Sequence, residues 1–340
     1  MNIAITSLYL PSGSKIGVGY QVHHLANALV QRGHAVTVFS QTGSSPGARY
    51  ETVAAPVRRH TRTFRFAWDL RRYDFAAFDV LNAHGDDWFL WGRRRPRHVH
   101  TYHGSCLAEM FHARSFAGKA RMAALAACEF NSLLLADDTV AVSENTRRYF
   151  PRIRHVIPCG VDTEAFSPGN GKKSAPPAIL FVGTMHGRKR GRLLLEIFRR
   201  EIRPAMPEAE LWCVCDRPDD EREGGGVRWL GRVDHETLVD LYRRAWVFCL
   251  PSTYEGFGVP YIEAMASGLP VVATPNVGAR EVTREGLDGV LAPDELLGAR
   301  LLGLLQDPDA RALWVGRGLA RAQDFSWERV CRCYEEVYQR

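Results

Sequence analysis

Two glutamates separated by seven residues, Glu255 and Glu263, stand in a stretch dense in glycine and proline, residues 251–270 (PSTYEGFGVPYIEAMASGLP). The stretch reads as a strand end, a glycine loop and a short helix, with Pro260 at the first helical position, Gly268 at the C-cap and Pro270 as the stop. On that reading Glu263 lies in the first helical turn and Glu255 in the loop before it, and Gly256 and Gly258 let the backbone come close to a ligand. A carboxylate so placed accepts hydrogen bonds from vicinal hydroxyls, while the bare amides of the helix start hold a diphosphate or a sugar. Residues 183–191 (GTMHGRKRG) follow another apolar run and carry Arg188, Lys189 and Arg190, a compact positive cluster. Such charge suits a leaving diphosphate, which gains negative charge as its bond breaks. His103, next to Gly104, follows the run at 98–102 and so stands where the carboxyl end of a strand meets a ligand.

These groups need a scaffold that gathers strand ends. Short β-branched or apolar runs alternate with helix-period segments along nearly the whole chain, the pattern of parallel sheets covered by helices. One series lies at 3–7, 35–40, 80–84, 98–102, 139–142 and 155–158, and a second at 179–182, 211–215, 227–230, 247–250, 271–273 and 290–292. Between them residues 167–177 (SPGNGKKSAPP) have no periodicity and read as a linker. The expected organisation is a first domain over 1–166, the linker over 167–177, a second domain over 178–325 and a separate terminal helix within 326–340. Two such doubly wound α/β domains facing each other make a cleft lined by strand-end loops. The first of these loops, residues 11–20 with Gly13, Gly17 and Gly19, precedes an amphipathic helix marked by Val22, Leu25, Ala26 and Leu29, which makes an anion site. It is not a dinucleotide fingerprint: Val22 takes the place of the third glycine, and Phe39, Ser40 and Gln41 offer no acid for a ribose.

Composition narrows the class. With 340 residues, 46% hydrophobic and 24% charged, the chain buries a sizeable core and is neither low-complexity nor disordered. Up to Glu164 there are 20 basic and 13 acidic residues, which leaves 24 and 25 of the totals of 44 and 38 for the remainder. The whole positive excess is therefore in the first half, which points that half at something anionic. Eight cysteines without a CxxC pair or a zinc-type grouping, and no secretory signal ahead of them, fit a reducing cytoplasm. No uncharged apolar stretch approaches the roughly 18 residues that a membrane span requires. An acidic triplet that could hold a cation on a diphosphate occurs only as Asp307-Pro308-Asp309, away from any strand end, and reads as a turn. The chemistry is expected to need no metal.

With these residues in place, the chain resembles the retaining glycosyltransferases of the GT-B fold, family four, also called glycosyl transferases group one. The resemblance rests on IGVG with LANALVQRGHAVTVFS, on TYHGS, on AVSENTRRYF followed by HVIPCGVDTEAFSP, and above all on PSTYEGFGVPYIEAMASGLPVVAT. It implies two Rossmann-like domains across a cleft, with the helix from Trp327 crossing back onto the first and coupling closure around the donor. It assigns Glu263 to the nucleotide ribose and Glu255, with the amides of Gly256, Phe257 and Gly258, to the donor sugar. Gly17 and Gly19 would approach the donor phosphate and the acceptor, His103 the reacting sugar, and the backbone at Arg232 and Val233 the base. Thr184 stands where the family commonly has an arginine, so Arg188 is the best candidate to share the diphosphate. Alignment on the leucines of the next helix gives the family's lysine as Lys189, whereas alignment on Gly191 gives Arg190, and Lys189 is preferred. Ile16 and Cys159 also depart from the usual pattern.

The activity implied is transfer of a hexose-type sugar from a UDP- or GDP-sugar to an acceptor hydroxyl, with retention, in glycan or glycoconjugate biosynthesis of bacterial type. The acceptor is a glycan, a lipid-linked sugar or a small natural product. Rival readings are an epimerase or sugar phosphorylase of the same architecture, and a catalytically silent nucleotide-sugar-binding subunit, to which Thr184 lends weight. Residues 58–72 (RRHTRTFRFAWDLRR), with Arg93 to Arg97 nearby in sequence, mix basic and aromatic groups suited to an anionic membrane surface. The aromatics there alternate at period two, as in a strand. Peripheral contact at the inner membrane face is the expectation, and nucleic acid is not a partner, since no binding module accompanies the basic residues.

Overall fold

The computed structural model describes residues 1–11, 17–55, 62–112, 115–150, 152–169 and 172–340. Gly13, Ile16 and residues 58–61 of the basic–aromatic stretch lie outside the described residues. The chain divides into two compact units, Met1–Gly160 with Trp327–Arg340, and Val161–Ser326.

In the first unit the elements run β1 (Asn2–Thr6), α1 (Gly17–Gln31), β2 (Ala35–Ser40), β3 (Glu51–Ala54), α2 (Arg62–Asp69), β4 (Val80–Ala83), β5 (Arg97–Tyr102), α3 (Cys106–His112), α4 (Phe116–Leu135), β6 (Asp138–Ala141), α5 (Glu144–Tyr149) and β7 (His155–Val156). Among the described residues they form one seven-stranded sheet in the order β3-β2-β1-β4-β5-β6-β7, with every pairing parallel. Side chains alternate across each strand. Ile3 and Ile5 therefore join Val22, Leu25 and Leu29 of α1 on one face, while Ala4 and Phe39 meet Phe66 and Leu70 on the other.

The second unit runs β8 (Ala178–Val182), α6 (Gly191–Ile197), continued by a π turn (Phe198–Ile202) into α7 (Arg203–Ala205), β9 (Glu210–Val214), β10 (Val227–Trp229), α8 (His235–Arg244), β11 (Val247–Leu250), α9 (Val259–Ala266), β12 (Val271–Ala273), α10 (Val277–Val282), β13 (Val290–Leu291), α11 (Asp294–Gln306) and α12 (Pro308–Ala322). Its sheet has the order β10-β9-β8-β11-β12-β13. Ile179 to Phe181 and Val247 to Leu250 are wholly buried, as strands covered on both faces must be. The last helix, α13 (Trp327–Tyr338), returns to the first unit. Val330, Cys331, Tyr334, Val337 and Tyr338 make its buried stripe, and Arg32, just after α1, grips Glu335 through two bonds of 2.6 and 2.7 Å.

Several sequence expectations need correction. The division falls at Gly160/Val161, before residues 167–177, because that stretch is tied to the second unit: Arg243 donates to the carbonyls of Ala165 and Ser167, and Trp246 Nε1 to that of Ser174. The aromatics at 64–68 lie on the helix α2, where Phe66 faces the core and Phe64 and Trp68, one turn apart, stay exposed. The period-two spelling misleads because positions two apart on a helix point in nearly opposite directions. Glu263 is the fifth residue of α9, past its first turn. Strand β3 went unread, since its short, half-exposed edge carries no apolar run. Asp307 of the acidic triplet caps α12, accepting from the amides of Asp309 and Ala310 at 2.9 Å.

Candidate active site

Both sheets reverse strand order at one place, between β1 and β4 and between β8 and β11. Such switch points splay the flanking loops apart and leave a crevice for a ligand. Of the residues picked out by type and spacing, Gly17, Gly19, Arg188, Lys189, Glu255 and Glu263 follow the strands at these points, whereas His103 follows β5 and Arg232 and Val233 follow the edge strand β10.

In the second unit the loops after β8 and β11 are laced together. The Thr253 amide donates to the Arg188 carbonyl at 2.9 Å, and Arg190 Nε donates to the Pro251 carbonyl at 2.7 Å. Arg190 also grips Asp294 at 2.7 and 2.8 Å and holds a left-handed backbone, φ 51°, a strained state for a residue with a side chain. Its guanidinium is thus already engaged as a clasp. Lys189 turns the other way, with its ammonium 2.8 Å from Glu255 Oε1, and Arg188 lies 4.0 Å from the other oxygen. Glu255 is 4% exposed. Behind it stands Gly278, where a Cβ would come within 2.7 Å of the Glu255 carbonyl oxygen and 2.8 Å of its Cβ. Thr274 and Asn276, beyond β12, donate to the Ser252 carbonyl and fix the same loop. Sequence reading missed these supports, because their role exists only once β11 and β12 are neighbours.

Gly258, φ 103°, begins α9, and a Cβ there would strike the Tyr261 ring at 2.4 Å. Phe257 is buried and Gly256 half-buried. Glu263 is half-buried and takes a 3.0 Å hydrogen bond from the Tyr242 hydroxyl on α8. Burial, then the charge of Glu263, pushes that phenol well above its ordinary pKa. Arg232 and Val233 occupy the loop between β10 and α8, Arg232 exposed, and Thr184 is exposed with its hydroxyl on the His186 carbonyl.

The first unit offers different chemistry. Gly17 starts α1 with open space around it, while a Cβ on Gly19 would meet the Tyr9 carbonyl at 2.7 Å, so that glycine lets the strand-end loop pass under the helix. His103 Nε2 lies 2.7 Å from His84 Nδ1, at the ends of β5 and β4. Burial and then the neighbouring His100 lower the His103 ring to a pKa of about 4, and burial followed by His103 holds His84 well below the usual histidine range. Both rings are neutral near pH 7, so one donates to the other. His84 Nε2 is buried with no partner among the described residues. An orphaned bare nitrogen is the lesser fault than an orphaned N–H, which assigns the proton to His84 Nδ1 and leaves His103 carrying its own on Nδ1.

Beneath them Asp87 accepts from Ser132 at 2.6 Å and lies 2.8 Å from His100 Nδ1. Burial alone would raise its carboxyl, but His100 and His98 beside it hold it well below the carboxylate range. Asp86, at φ 69°, is pushed up to about 8 by burial and then by Asp87. A cavity of about 230 Å³ opens over this cluster, lined by Val18, His84, Trp88, His103, Glu109 and Glu129 among others. Of this cluster only His103 was legible, since the rest come from β4, β5 and α4.

Comparison with known proteins adds the family. A model described as glycosyltransferase family 4 matches residues 16–165, and one described as glycosyl transferases group 1 matches 176–307. The O-antigen chain mannosyltransferase B of Escherichia coli is 38% identical over 165 residues, 44% of this chain and 42% of that protein. A phosphatidyl-myo-inositol mannosyltransferase of Mycolicibacterium smegmatis is 33% identical over 198 residues, covering 53% and 51%. The matches thus span about half the length of these relatives. The structure of Anabaena Alr3699/HepE in complex with UDP-glucose superposes with a TM-score of 0.77 at 17% identity over the whole of both chains, a likeness of fold.

Proposed function

Because the chain belongs to the group 1 glycosyltransferases of family 4, we propose that it is an enzyme transferring a hexose from a UDP- or GDP-sugar to an acceptor hydroxyl, with retention and without a metal. The observation that carries the reading is the pairing of Lys189 with Glu255 at the switch point between β8 and β11, a cation and a carboxylate where a diphosphate and its sugar need them. Glu263 binds the ribose hydroxyls, and the segment at Arg232 and Val233 the base. The backbone at Gly256, Phe257 and Gly258 faces the sugar, and Gly17 and Gly19 of the first unit open a helix start suited to an anion. Lys189 and Arg188 stabilise the departing diphosphate.

The bond from the anomeric carbon to the phosphate oxygen breaks, and the acceptor oxygen forms its bond on the same face. The acceptor's proton passes to the leaving phosphate oxygen, so no enzymic nucleophile is required. His103 serves as a neutral hydrogen-bonding ring, and the cavity beside it takes the acceptor. A thermal-shift panel of UDP, GDP, ADP and nucleotide sugars, with and without EDTA, tests the reading. Stabilisation by UDP or GDP that survives EDTA is expected, near 2.7 kcal/mol at about 100 times Kd; stabilisation by none of them refutes it.

We further propose that the acceptor is glycan or lipid-linked and that the first unit rests on an anionic membrane. No helix of the described residues is long and apolar enough to cross a bilayer. The support is a group of exposed aromatics, Phe64 and Trp68 of α2 and Trp91, where Phe64 lies against Trp88 and Trp68 against Phe89, with Arg65, Arg72, Arg93 and Arg94 exposed and Arg71 donating to the carbonyls of Phe89 and Trp91. Aromatic groups among cations favour the headgroup layer. Flotation with phosphatidylglycerol vesicles, but not with phosphatidylcholine, is the expected result, and no flotation with either ends the idea.

A further inference from the structure

We infer that Glu255 makes the site discriminate against the free nucleoside diphosphate and in favour of the intact nucleotide sugar, so that the charge of this carboxylate helps expel the product. The inference rests on the proposed donor site and deepens it. Three observations carry it. Glu255 is 4% exposed, so its charge is poorly screened by water. Its nearest cation is Lys189 at 2.8 Å, with Arg188 at 4.0 Å and itself exposed. The third cation of the loop, Arg190, is spent on Asp294 and the Pro251 carbonyl. The one close ammonium, with exposed Arg188 farther off, is therefore shared between the carboxylate and whatever anion enters.

The two ligands differ in what they bring to that carboxylate. A nucleotide sugar is a diphosphate diester, and its sugar hydroxyls donate hydrogen bonds to Glu255 in place of the ammonium that turns to phosphate. A nucleoside diphosphate has lost the sugar and carries an additional negative charge near neutral pH, because its terminal phosphate ionises a second time with a pKa near 6. It offers Glu255 no donor, and it sets a like charge beside a buried carboxylate that has just lost part of its partner. Gly278 packed against the Glu255 backbone and Thr274 and Asn276 on the Ser252 carbonyl hold this loop in place, so Glu255 has little room to swing away. A residue that merely bound sugar would be indifferent to the free diphosphate.

Calorimetric titration of UDP, GDP, UDP-glucose and GDP-mannose into the wild type, Glu255→Gln and Glu255→Asp tests this. In Glu255→Gln the diphosphate that the wild type binds is expected to bind about tenfold tighter or more, while its sugar ester binds no tighter. Glu255→Asp keeps the charge and the wild-type order. If Glu255→Gln shifts both ligands in parallel, or weakens the diphosphate, the inference is overturned and the donor site stands. If the wild type binds none of the four, the donor site itself falls and this inference with it. Should Glu255→Gln melt early, Glu255→Ala removes the same charge without requiring an amide to fit, and is read in the same way.

Discussion

The two units place their polar groups at the carboxyl ends of strands in the same kind of doubly wound scaffold and treat charge in opposite ways. At the β8/β11 switch point charges are kept and matched: Lys189 with Glu255, and Arg190 with Asp294. At the β4 and β5 ends the rings are stripped of charge, His103 by burial and then His100, His84 by burial and then His103, while Asp87 beneath them keeps a negative charge against His100 and His98. A charged, cation-bearing crevice suits an anion that leaves. Neutral rings suit hydroxyls that must be oriented without being bound as ions. The scaffold dictates where a ligand lies, and the local charge decides what it is.

The strongest test of that contrast removes the cation. Lys189→Ala is expected to lower kcat about 10²-fold to 10³-fold, the usual loss on deleting a group that stabilises developing charge, with a small change in donor KM. Glu263→Ala, on the same unit but assigned to the ribose, should instead raise donor KM about tenfold to a hundredfold with kcat nearly kept, the worth of hydrogen bonds to a charged group. Steady-state kinetics on the two variants decides. If both lose kcat equally, the division of labour within the second unit is wrong.

The first unit breaks the comparison in another way, through pH. Burial and then Asp87 raise Asp86 to about 8, so the folded state holds a proton that the unfolded chain releases in the ordinary carboxylate range. Stability from this group is therefore complete at low pH and falls as pH rises toward about 8. His84 and His103 act in the opposite sense, their lowered values costing stability as pH drops from about 6.5 toward 4. Asp86→Asn keeps the shape, tolerates the left-handed backbone and never ionises. Its melting temperature should draw level with or exceed that of the wild type, with the gap widening in its favour from about pH 4 to about pH 8 and staying level above that. A gap that stays constant would show that Asp86 does not titrate in this range.

The same difference explains what the sequence disclosed. Glu255, Gly258 and Glu263 lie within nine residues of one another along the chain, so their glycine and proline setting is visible at once. Their partner Lys189 sits 66 residues away, but in a loop whose basic run marks it. The two series of strands were legible for a related reason, since buried parallel strands such as β8 and β11 are continuous apolar runs. By contrast His84, Asp87, His100 and Ser132 meet only because β4, β5 and α4 are adjacent, and no spacing in the chain marks them. A run of three cations does not say which way each side chain turns, so the contacts of Arg190 were not legible. Its left-handed backbone sends it to Asp294.

The smallest expected effect sharpens the account of the neutral ring. If His84 Nδ1–H donates to His103 Nε2, then His103 presents an N–H at Nδ1, a donor ready for a substrate oxygen rather than a base ready to take a proton. His84→Ala removes that constraint, and His103 then distributes between its two tautomers. Nitrogen-15 chemical shifts of the His103 ring should show protonated Nδ1 in the wild type and a mixture in His84→Ala, with transfer slowed only severalfold, the worth of one neutral hydrogen bond. His84→Asn supplies an amide N–H in place of the ring donor and should restore both. A wild-type spectrum with the proton on Nε2 would reverse the assignment, making His103 Nδ1 an acceptor and the first unit's ring a candidate base after all.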